Sequence, residues 1–179
     1  MIYETLAYAV DHNVAVITLN RPRVMNALNS QMRAEITDAM GQAGQAARVV
    51  VLTGSGRAFC SGQDLGAEGN FADIDLERTL KDEYVPMLKA ITECPVPTIS
   101  AVNGPAAGAG ANLALAADVV IAAESAYFVQ AFTRIGLIPD AGGTYLLPRQ
   151  MGLAKAMGAA LFADKIYARQ ASEMGMIWE

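Results

Sequence analysis

The chain has 179 residues, of which 53% are hydrophobic and 17% are charged, and its formal net charge is −5. This length and composition fit one globular domain and exclude an intrinsically disordered chain, and charged residues interrupt the apolar runs too often for a membrane span. The acidic balance argues against general nucleic-acid binding, and the N-terminal residues lack the basic region of a secretory signal, so we expect a cytoplasmic protein.

The two cysteines and the single histidine offer little chemistry. Cys60 and Cys94 are isolated, which is typical of a reducing compartment, and neither forms a metal-type pair. His12 lies in the sequence DHNV, which favours a turn residue. We therefore expect neither a metal site nor histidine-based catalysis.

Buried strands and amphipathic helices alternate along the chain, which indicates the α/β class. The predicted strands cover residues 14–20, 47–54, 98–104, 118–124 and 126–130. The predicted helices cover a segment capped by Asn26 or Asn29 and residues 76–93, 109–118, 150–163 and 168–175. The last residues, EMGMIWE, form an apolar cluster, so we expect the chain to be part of a longer protein.

Two loops of small residues each follow a buried strand. The first is AFCSGQDL at residues 58–65, and the second is NGPAAGAGAN at residues 103–112. If adjacent parallel strands lead into both loops, their backbone N–H groups can converge on one point and stabilise charge on a carbonyl oxygen. A helix that begins near Gly110 would add its positive end. From spacing alone, close packing of the backbone explains the small residues at least as well.

A third segment, RIGLIPDAGGTYLLPR at residues 134–149, carries a single carboxylate. Asp140 follows an apolar approach and precedes two glycines. Burial in such a loop raises the pKa of a carboxyl group and suits it to proton transfer. The alternative is that Asp140 caps the following helix through Thr144.

In their order and spacing, these segments resemble the enoyl-CoA hydratase/isomerase family, the crotonase superfamily. The matching blocks are NRPRVMNALNSQM, VVLTGSGRAFCSGQDL, PTISAVNGPAAGAGANLALAADVVIA and RIGLIPDAGGTYLLPRQMG. The resemblance implies a crotonase-like spiral of ββα turns in one core domain over residues 1–179. The family's further C-terminal helices, which cover the site and help to build trimers or dimers of trimers, are absent from this sequence. The implied substrate is an acyl-CoA, with coenzyme A as part of the substrate and no separate cofactor.

The resemblance also assigns roles to individual residues. The backbone N–H groups of Gln63 and Ala109 take the positions of the two oxyanion donors, and Asp140 is left as the group that moves a proton. Asn112 and Phe132 stand where hydratases of the family have glutamates, and neither side chain can exchange a proton with water. The resemblance therefore implies isomerisation rather than hydration.

Further residues are candidates for substrate binding. Arg23 either contacts the phosphate or pantetheine part of coenzyme A or is a plain surface arginine. Ala58 and Ser61, with Gln63, belong to the loop that grips adenine through backbone groups, whereas Asp64 is better explained as fixing that loop by hydrogen bonds.

The acyl group has its own candidates. Phe132 and Tyr145 are expected at the acyl pocket, beside Gly108 and Asn112 of the glycine-rich loop. Cys60 lies in the first loop, but no adjacent base is apparent, so we do not expect it to act as a nucleophile.

Within the family, GLIPDAGGTYLLPR and MGMIW most resemble the members that convert a ring epoxide, 2-(1,2-epoxy-1,2-dihydrophenyl)acetyl-CoA, to an oxepin in phenylacetate degradation. Other relatives move a double bond from the 3- to the 2-position. Both reactions need one carboxylate and an oxyanion hole. The alternatives are an enoyl-CoA hydratase with displaced catalytic residues and a non-catalytic CoA-binding scaffold.

Overall fold

The computed structural model describes residues 2–66 and 75–179. Within them, the strands are β1 (Leu6–Asp11), β2 (Val14–Leu19), β3 (Val49–Gly54), β4 (Thr98–Val102), β5 (Ala106–Ala107), β6 (Val119–Ala122), β7 (Tyr127–Val129) and β8 (Ile166–Tyr167). The helices are α1 (Ser30–Ala46), α2 (Leu76–Thr79), α3 (Val85–Thr92), α4 (Ala109–Leu115), α5 (Gly143–Met151), α6 (Leu153–Phe162) and α7 (Ala168–Glu173). Two 3₁₀ segments, Pro22–Val24 and Ala131–Ile135, and a π-helical segment, Leu80–Tyr84, complete the helical structure of these residues.

In the part of the chain that the structure describes, the larger sheet has five strands in the order β1-β2-β3-β4-β6, and all neighbours are parallel except β1 and β2. Strand β1 is absent from the sequence prediction because only one of its side chains, Leu6, is buried, so its apolar signal is weak. His12 and Asn13 turn the chain between β1 and β2 with φ of 48° and 64°. The turn predicted at His12 is therefore confirmed.

The smaller sheet, in the order β5-β7-β8, explains how the chain spirals. Strand β4 of the large sheet is followed by β5 of the small sheet and then by α4, and β6 is followed in the same way by β7 and later by α5. One turn earlier, Cys60 forms an isolated parallel bridge with Ala106 after β3. These repeated strand–strand–helix units confirm the expected spiral of ββα turns.

Helix α1 begins where the sequence predicts it. The side chain of Asn29 accepts a hydrogen bond of 2.9 Å from the backbone N–H of Met32, which caps the helix. Met32, Ile36 and Met40 lie four residues apart and are all buried against the sheet. This spacing is the periodicity that identified the helix in the sequence.

Helix α5 begins at Gly143, before residue 150, where the sequence prediction starts a helix. Pro148 lies inside the helix, where its missing N–H removes one backbone hydrogen bond and argues against helix in a sequence-based reading. Leu147 and Met151 are buried nevertheless, so packing outweighs that loss. The helix predicted from residue 150 begins instead at Leu153, after a break at Gly152 with φ of 79°. None of the helices in the described ranges is long and apolar enough to cross a membrane.

Candidate active site

The two loops of small residues leave adjacent parallel strands, as the sequence-based hypothesis requires. Strands β3 and β4 pair from Val50 opposite Thr98 onward. Beyond the strand ends, the backbone N–H of Ala107 donates to the oxygen of Cys60 at 2.9 Å. The two loops are therefore joined by backbone hydrogen bonds at the edge of the sheet.

Some of the small residues allow two backbones to pack closely, and others leave the backbone open to a cavity. Gly104 and Gly110 lie directly against the backbones of Arg57 and Cys60, so any side chain there would collide with main-chain atoms. Gly108 has a φ of +52° and lines a cavity instead. Close packing and an open approach to the backbone thus occur together in the same stretch.

Two backbone N–H groups at this junction have no backbone acceptor in the described parts of the chain. In the bridge between Leu28 and Gln63, the oxygen of Gly62 and the N–H of Asp64 both bond to Leu28, so the N–H of Gln63 faces the other way. Ala109 is the first residue of α4, whose leading N–H groups have no partner within the helix. Gln63 and Ala109 both line the cavity.

The cavity has a volume of about 310 Å³ and a largely apolar wall. Leu80, Phe132 and Leu137 contribute to this wall, with Ser61 from the first loop. Asp140 supplies the only carboxyl group among the described residues that line it. No group of three or more potential metal ligands was found among residues 2–66 and 75–179.

The carboxylate of Asp140 is held without a hydrogen-bond partner at Oδ1, as far as residues 2–66 and 75–179 are concerned. Burial raises the pKa of Asp140 from 3.8 to about 6, because the charged form loses water. Helix α5 is preceded by Gly142, and no side chain of the described residues caps it. The alternative in which Asp140 caps that helix through Thr144 is therefore not seen.

Asn112 and Phe132, at the positions that the resemblance equates with glutamates, occupy different places. Phe132 is 6% exposed and lines the cavity. Asn112 is fully buried in α4 and does not line the cavity. Its amide is hydrogen-bonded to the backbone of Asp140 and to Gln130.

The structure adds residues that the sequence did not single out. Arg33 is fully buried, donates to Gln63 Oε1 at 2.8 Å and forms an ion pair with Glu83 at 2.7 Å. Tyr84 donates to the same Gln63 oxygen at 2.6 Å and lines the cavity. Tyr84 ends the π-helical segment, a rare element that often marks functional sites. In the sequence, only the spacing of four residues between Leu80 and Tyr84 indicates that Tyr84 lies on the same helical face as Leu80.

Burial and charge set the protonation of this group. Burial raises the pKa of Tyr84, so its hydroxyl keeps its proton and donates. Burial alone would raise the pKa of Glu83 as well, but the hydrogen bonds from Arg33 and Ser30 lower it below its ordinary value. Glu83 therefore stays ionised opposite Arg33.

The binding candidates of the first loop lie in different environments. Ala58 is 1% exposed and does not line the cavity, whereas Ser61 does. The carboxylate of Asp64 accepts a hydrogen bond of 2.7 Å from Arg21 and one of 3.1 Å from the N–H of Gly66. These contacts fix the loop, as the sequence favoured for Asp64.

Two further candidates, Arg23 and Tyr145, lie away from the cavity. Arg23 is exposed in the 3₁₀ segment Pro22–Val24, which is tied to the first loop by a hydrogen bond from Ser61 to Val24. Tyr145 is 58% exposed and stacks on Arg149 instead of lining the cavity.

Cys60 is fully buried, and burial raises the pKa of its thiol to about 12. A thiol that keeps its proton is a poor nucleophile. This agrees with the expectation that Cys60 has no catalytic role.

Comparisons with known proteins agree with this architecture. Residues 9–179 match the family model described as enoyl-CoA hydratase/isomerase. A Rhodobacter capsulatus protein named "probable enoyl-CoA hydratase" is 64% identical over 179 residues, which cover 100% of this chain and 69% of that protein. The Escherichia coli 1,2-epoxyphenylacetyl-CoA isomerase is 47% identical over 175 residues, which cover 95% of this chain and 67% of the relative.

A solved structure shows the same fold. The crystal structure of an enoyl-CoA hydratase from Bacillus anthracis superposes with a TM-score of 0.88 at 34% identity and covers 98% of this chain and 69% of that one. The spiral of ββα turns and the paired small-residue loops define a crotonase-fold protein. The chain belongs to the enoyl-CoA hydratase/isomerase family.

Proposed function

We propose that the protein is an acyl-CoA isomerase in which Asp140 moves a proton while the N–H groups of Gln63 and Ala109 hold the thioester oxygen. The observation that carries this proposal is the carboxylate of Asp140 on the wall of an apolar cavity. With a pKa of about 6, this carboxylate is mostly ionised at neutral pH and basic enough to accept a proton from a carbon acid.

The proposed reaction needs one group that takes a proton and gives it back. The carboxylate of Asp140 removes a proton from the carbon next to the thioester, and the electron pair of that C–H bond delocalises onto the thioester oxygen. The N–H groups of Gln63 and Ala109 stabilise this oxyanion. The protonated carboxyl of Asp140 then returns the proton to another carbon, and in a 3-enoyl-CoA the double bond shifts. In the ring epoxide, the carbon–carbon bond shared by the epoxide and the six-membered ring also breaks, so that the ring expands to the seven-membered oxepin. No atom is gained or lost, so the reaction is an isomerisation.

Hydration is the second candidate, because the Rhodobacter capsulatus relative at 64% identity is named a probable enoyl-CoA hydratase. Hydration requires groups that exchange protons with the added water. Phe132 cannot do so, and the amide of Asn112 is already bonded to Gln130 and to the backbone of Asp140. These contacts favour isomerisation.

The proposed substrate is the ring epoxide of phenylacetyl-CoA or a 3-enoyl-CoA. The name of the Escherichia coli relative, a 1,2-epoxyphenylacetyl-CoA isomerase at 47% identity, supports the ring epoxide and a role in phenylacetate degradation. Coenzyme A would enter as part of the substrate, with Arg23, Ala58 and Ser61 near its polar portion. A homotrimer, or a dimer of trimers, is the assembly that we propose from the family resemblance.

The test is to offer the purified protein the ring epoxide, a 3-enoyl-CoA and crotonyl-CoA in separate reactions and to analyse the products by chromatography and mass spectrometry. An isomer has the mass of its substrate, whereas a hydration product is heavier by one water. We expect a product of unchanged mass from the ring epoxide or from the 3-enoyl-CoA. Rapid addition of water to crotonyl-CoA would support the hydratase instead, and binding without any product would support the scaffold.

A further inference from the structure

The side chain of Gln63 carries a hydrogen-bond donor that the proposed proton transfer does not use. Its Oε1 accepts hydrogen bonds from Arg33 Nη1 at 2.8 Å and from the Tyr84 hydroxyl at 2.6 Å. Its Nε2 is buried and has no acceptor in the described part of the chain. Gln63 lines the cavity that also holds Asp140.

The orientation of this amide follows from the chemistry of its neighbours. The guanidinium of Arg33 can only donate, so the amide atom that faces it must be the oxygen. The hydroxyl of Tyr84 stays protonated because burial raises its pKa, and it donates to the same atom. If the amide were flipped, its own N–H groups would face the donors of Arg33 and Tyr84, and no hydrogen bond could form. The nitrogen is therefore the end of the Gln63 side chain that has no partner among the described residues.

The amide is also held rigidly. Arg33 is fully buried and is fixed by hydrogen bonds to the oxygen of Leu28 at 2.8 Å and to Glu83 at 2.7 Å. Its guanidinium lies 4.9 Å from the centre of the Tyr84 ring. A buried donor without an acceptor destabilises a folded chain, so a donor held in this way points to an acceptor that arrives with the ligand.

We infer that Gln63 Nε2 selects acyl-CoA substrates whose acyl group carries an acceptor oxygen, such as an epoxide, an ether or a carbonyl, over plain hydrocarbon chains. This inference rests on the proposed function, because it takes the cavity to be the acyl site of a CoA thioester. Leu80, Phe132 and Leu137 line the same cavity and suit the hydrocarbon part of such a group. The side chain of Gln63 thus determines substrate specificity, whereas its backbone N–H is the proposed oxyanion donor.

The experiment compares two unreactive ligands of nearly equal size, (2-methoxyphenyl)acetyl-CoA and (2-ethylphenyl)acetyl-CoA. They differ in one ether oxygen against one methylene group, and both carry the same thioester. Dissociation constants are measured by titration calorimetry for the unaltered protein, Gln63→Glu and Gln63→Met. Gln63→Glu keeps the acceptor for Arg33 and Tyr84, and Gln63→Met removes the amide without adding charge.

We expect the unaltered protein to bind the methoxy ligand about 5- to 20-fold more tightly than the ethyl ligand. Both variants should lose this preference and should bind the two ligands with dissociation constants within about threefold of each other. Equal binding of the two ligands by the unaltered protein would overturn the inference. So would a preference that survives in either variant.

The proposed function is judged separately, from product formation by the unaltered protein. If the protein prefers the methoxy ligand but isomerises no acyl-CoA, the result supports the specificity role of Gln63 and contradicts the proposed isomerase activity. If the protein isomerises acyl-CoAs but binds the two ligands equally, the result supports the isomerase activity and contradicts the specificity role of Gln63.

Discussion

The side-chain amide of Asn112 donates a hydrogen bond of 2.8 Å to the backbone oxygen of Asp140. Asn112 Oδ1 in turn accepts a hydrogen bond of 2.9 Å from Gln130 Nε2, and Gly143 packs directly against the same amide. Asn112 is fully buried. A side chain at a position where the resemblance places a catalytic glutamate thus anchors the loop that carries the carboxylate.

Replacing Asn112 by alanine should affect both stability and activity. It leaves Gln130 Nε2 without its acceptor and removes one hydrogen bond to the oxygen of Asp140, which still accepts from the N–H of Gly143 at 2.8 Å. We therefore expect a loss of about 2–4 kcal/mol in the free energy of unfolding. We also expect the isomerisation rate per folded molecule to fall about tenfold, because the carboxylate is no longer held in place. Denaturation and turnover should be measured on the same sample.

Gln150→Leu is the matched control for this variant. Gln150 Nε2 donates a hydrogen bond of 3.0 Å to the oxygen of Leu115. This bond links α5 to α4, as Asn112 links α4 to the loop before α5, but it does not involve Asp140. We expect it to lower stability and to leave the rate per folded molecule unchanged. If both variants reduce the rate equally, Asn112 has no particular connection with Asp140.

Ala109→Val tests whether the glycine-rich loop presents its backbone to a ligand. Ala109 lines the cavity and is 4% exposed, and β-branching restricts the backbone at the start of α4. We expect about 1–3 kcal/mol of overpacking strain and a fall in rate of about 100-fold, comparable to losing one oxyanion donor. Melting temperature and turnover report the two effects.

Ala114→Val is a suitable comparison, because Ala114 is fully buried in the same helix but does not line the cavity. It should cost stability without reducing the rate per folded molecule. An Ala109→Val variant that is destabilised yet fully active would mean that this small residue serves packing alone.

Hydration of crotonyl-CoA should be very slow. Asn112 is engaged by hydrogen bonds and Phe132 is apolar, so neither can pass a proton to or from water. The decrease in absorbance of the conjugated thioester measures the rate directly, with a hydratase of the family as the positive control. A turnover above about 100 per second, well within the range of ordinary enzymes, would contradict the proposal that the protein is an isomerase.

The raised pKa of Asp140 also predicts a pH-dependent change in stability. Its pKa is about 6 in the folded protein, against an ordinary value of 3.8, so ionisation opposes folding increasingly as the pH rises from about 4 to 6. Asp140→Asn cannot ionise. It should therefore be more stable than the unaltered protein by about 1–3 kcal/mol at pH values near 8, and by little at pH values near 4. Urea denaturation at both pH values measures this difference, and an equal difference at both would contradict it.

Much of the fold follows from local patterns in the sequence. The strands β2, β3 and β4 are continuous apolar runs, and α1 repeats Met32, Ile36 and Met40 at helical spacing. By contrast, the two-residue strands β5 and β8 depend on pairing with β7, which is set by the tertiary fold. Such short strands leave no periodic signal.

The candidate site was predictable in its backbone and less so in its side chains. The small residues around Gln63 and Ala109 and the apolar surroundings of Asp140 are local features that the sequence displays. The contact of Arg33 with Gln63 joins residues 30 positions apart, and that of Asn112 with Asp140 joins residues 28 apart. Pairings over such distances depend on how the loops pack, which no single segment specifies.

The pH dependence of kcat/KM for isomerisation, compared between the unaltered protein and Asp140→Asn, tests most directly whether Asp140 transfers the proton. The unaltered protein should gain activity as the pH rises, with a midpoint at about 6, since the carboxylate must be ionised to accept a proton. Asp140→Asn is nearly isosteric and should be at least about 100-fold slower, without that rise, while its affinity for coenzyme A changes only a few-fold. Near-normal turnover in Asp140→Asn, or the same midpoint in both proteins, would contradict the role of Asp140.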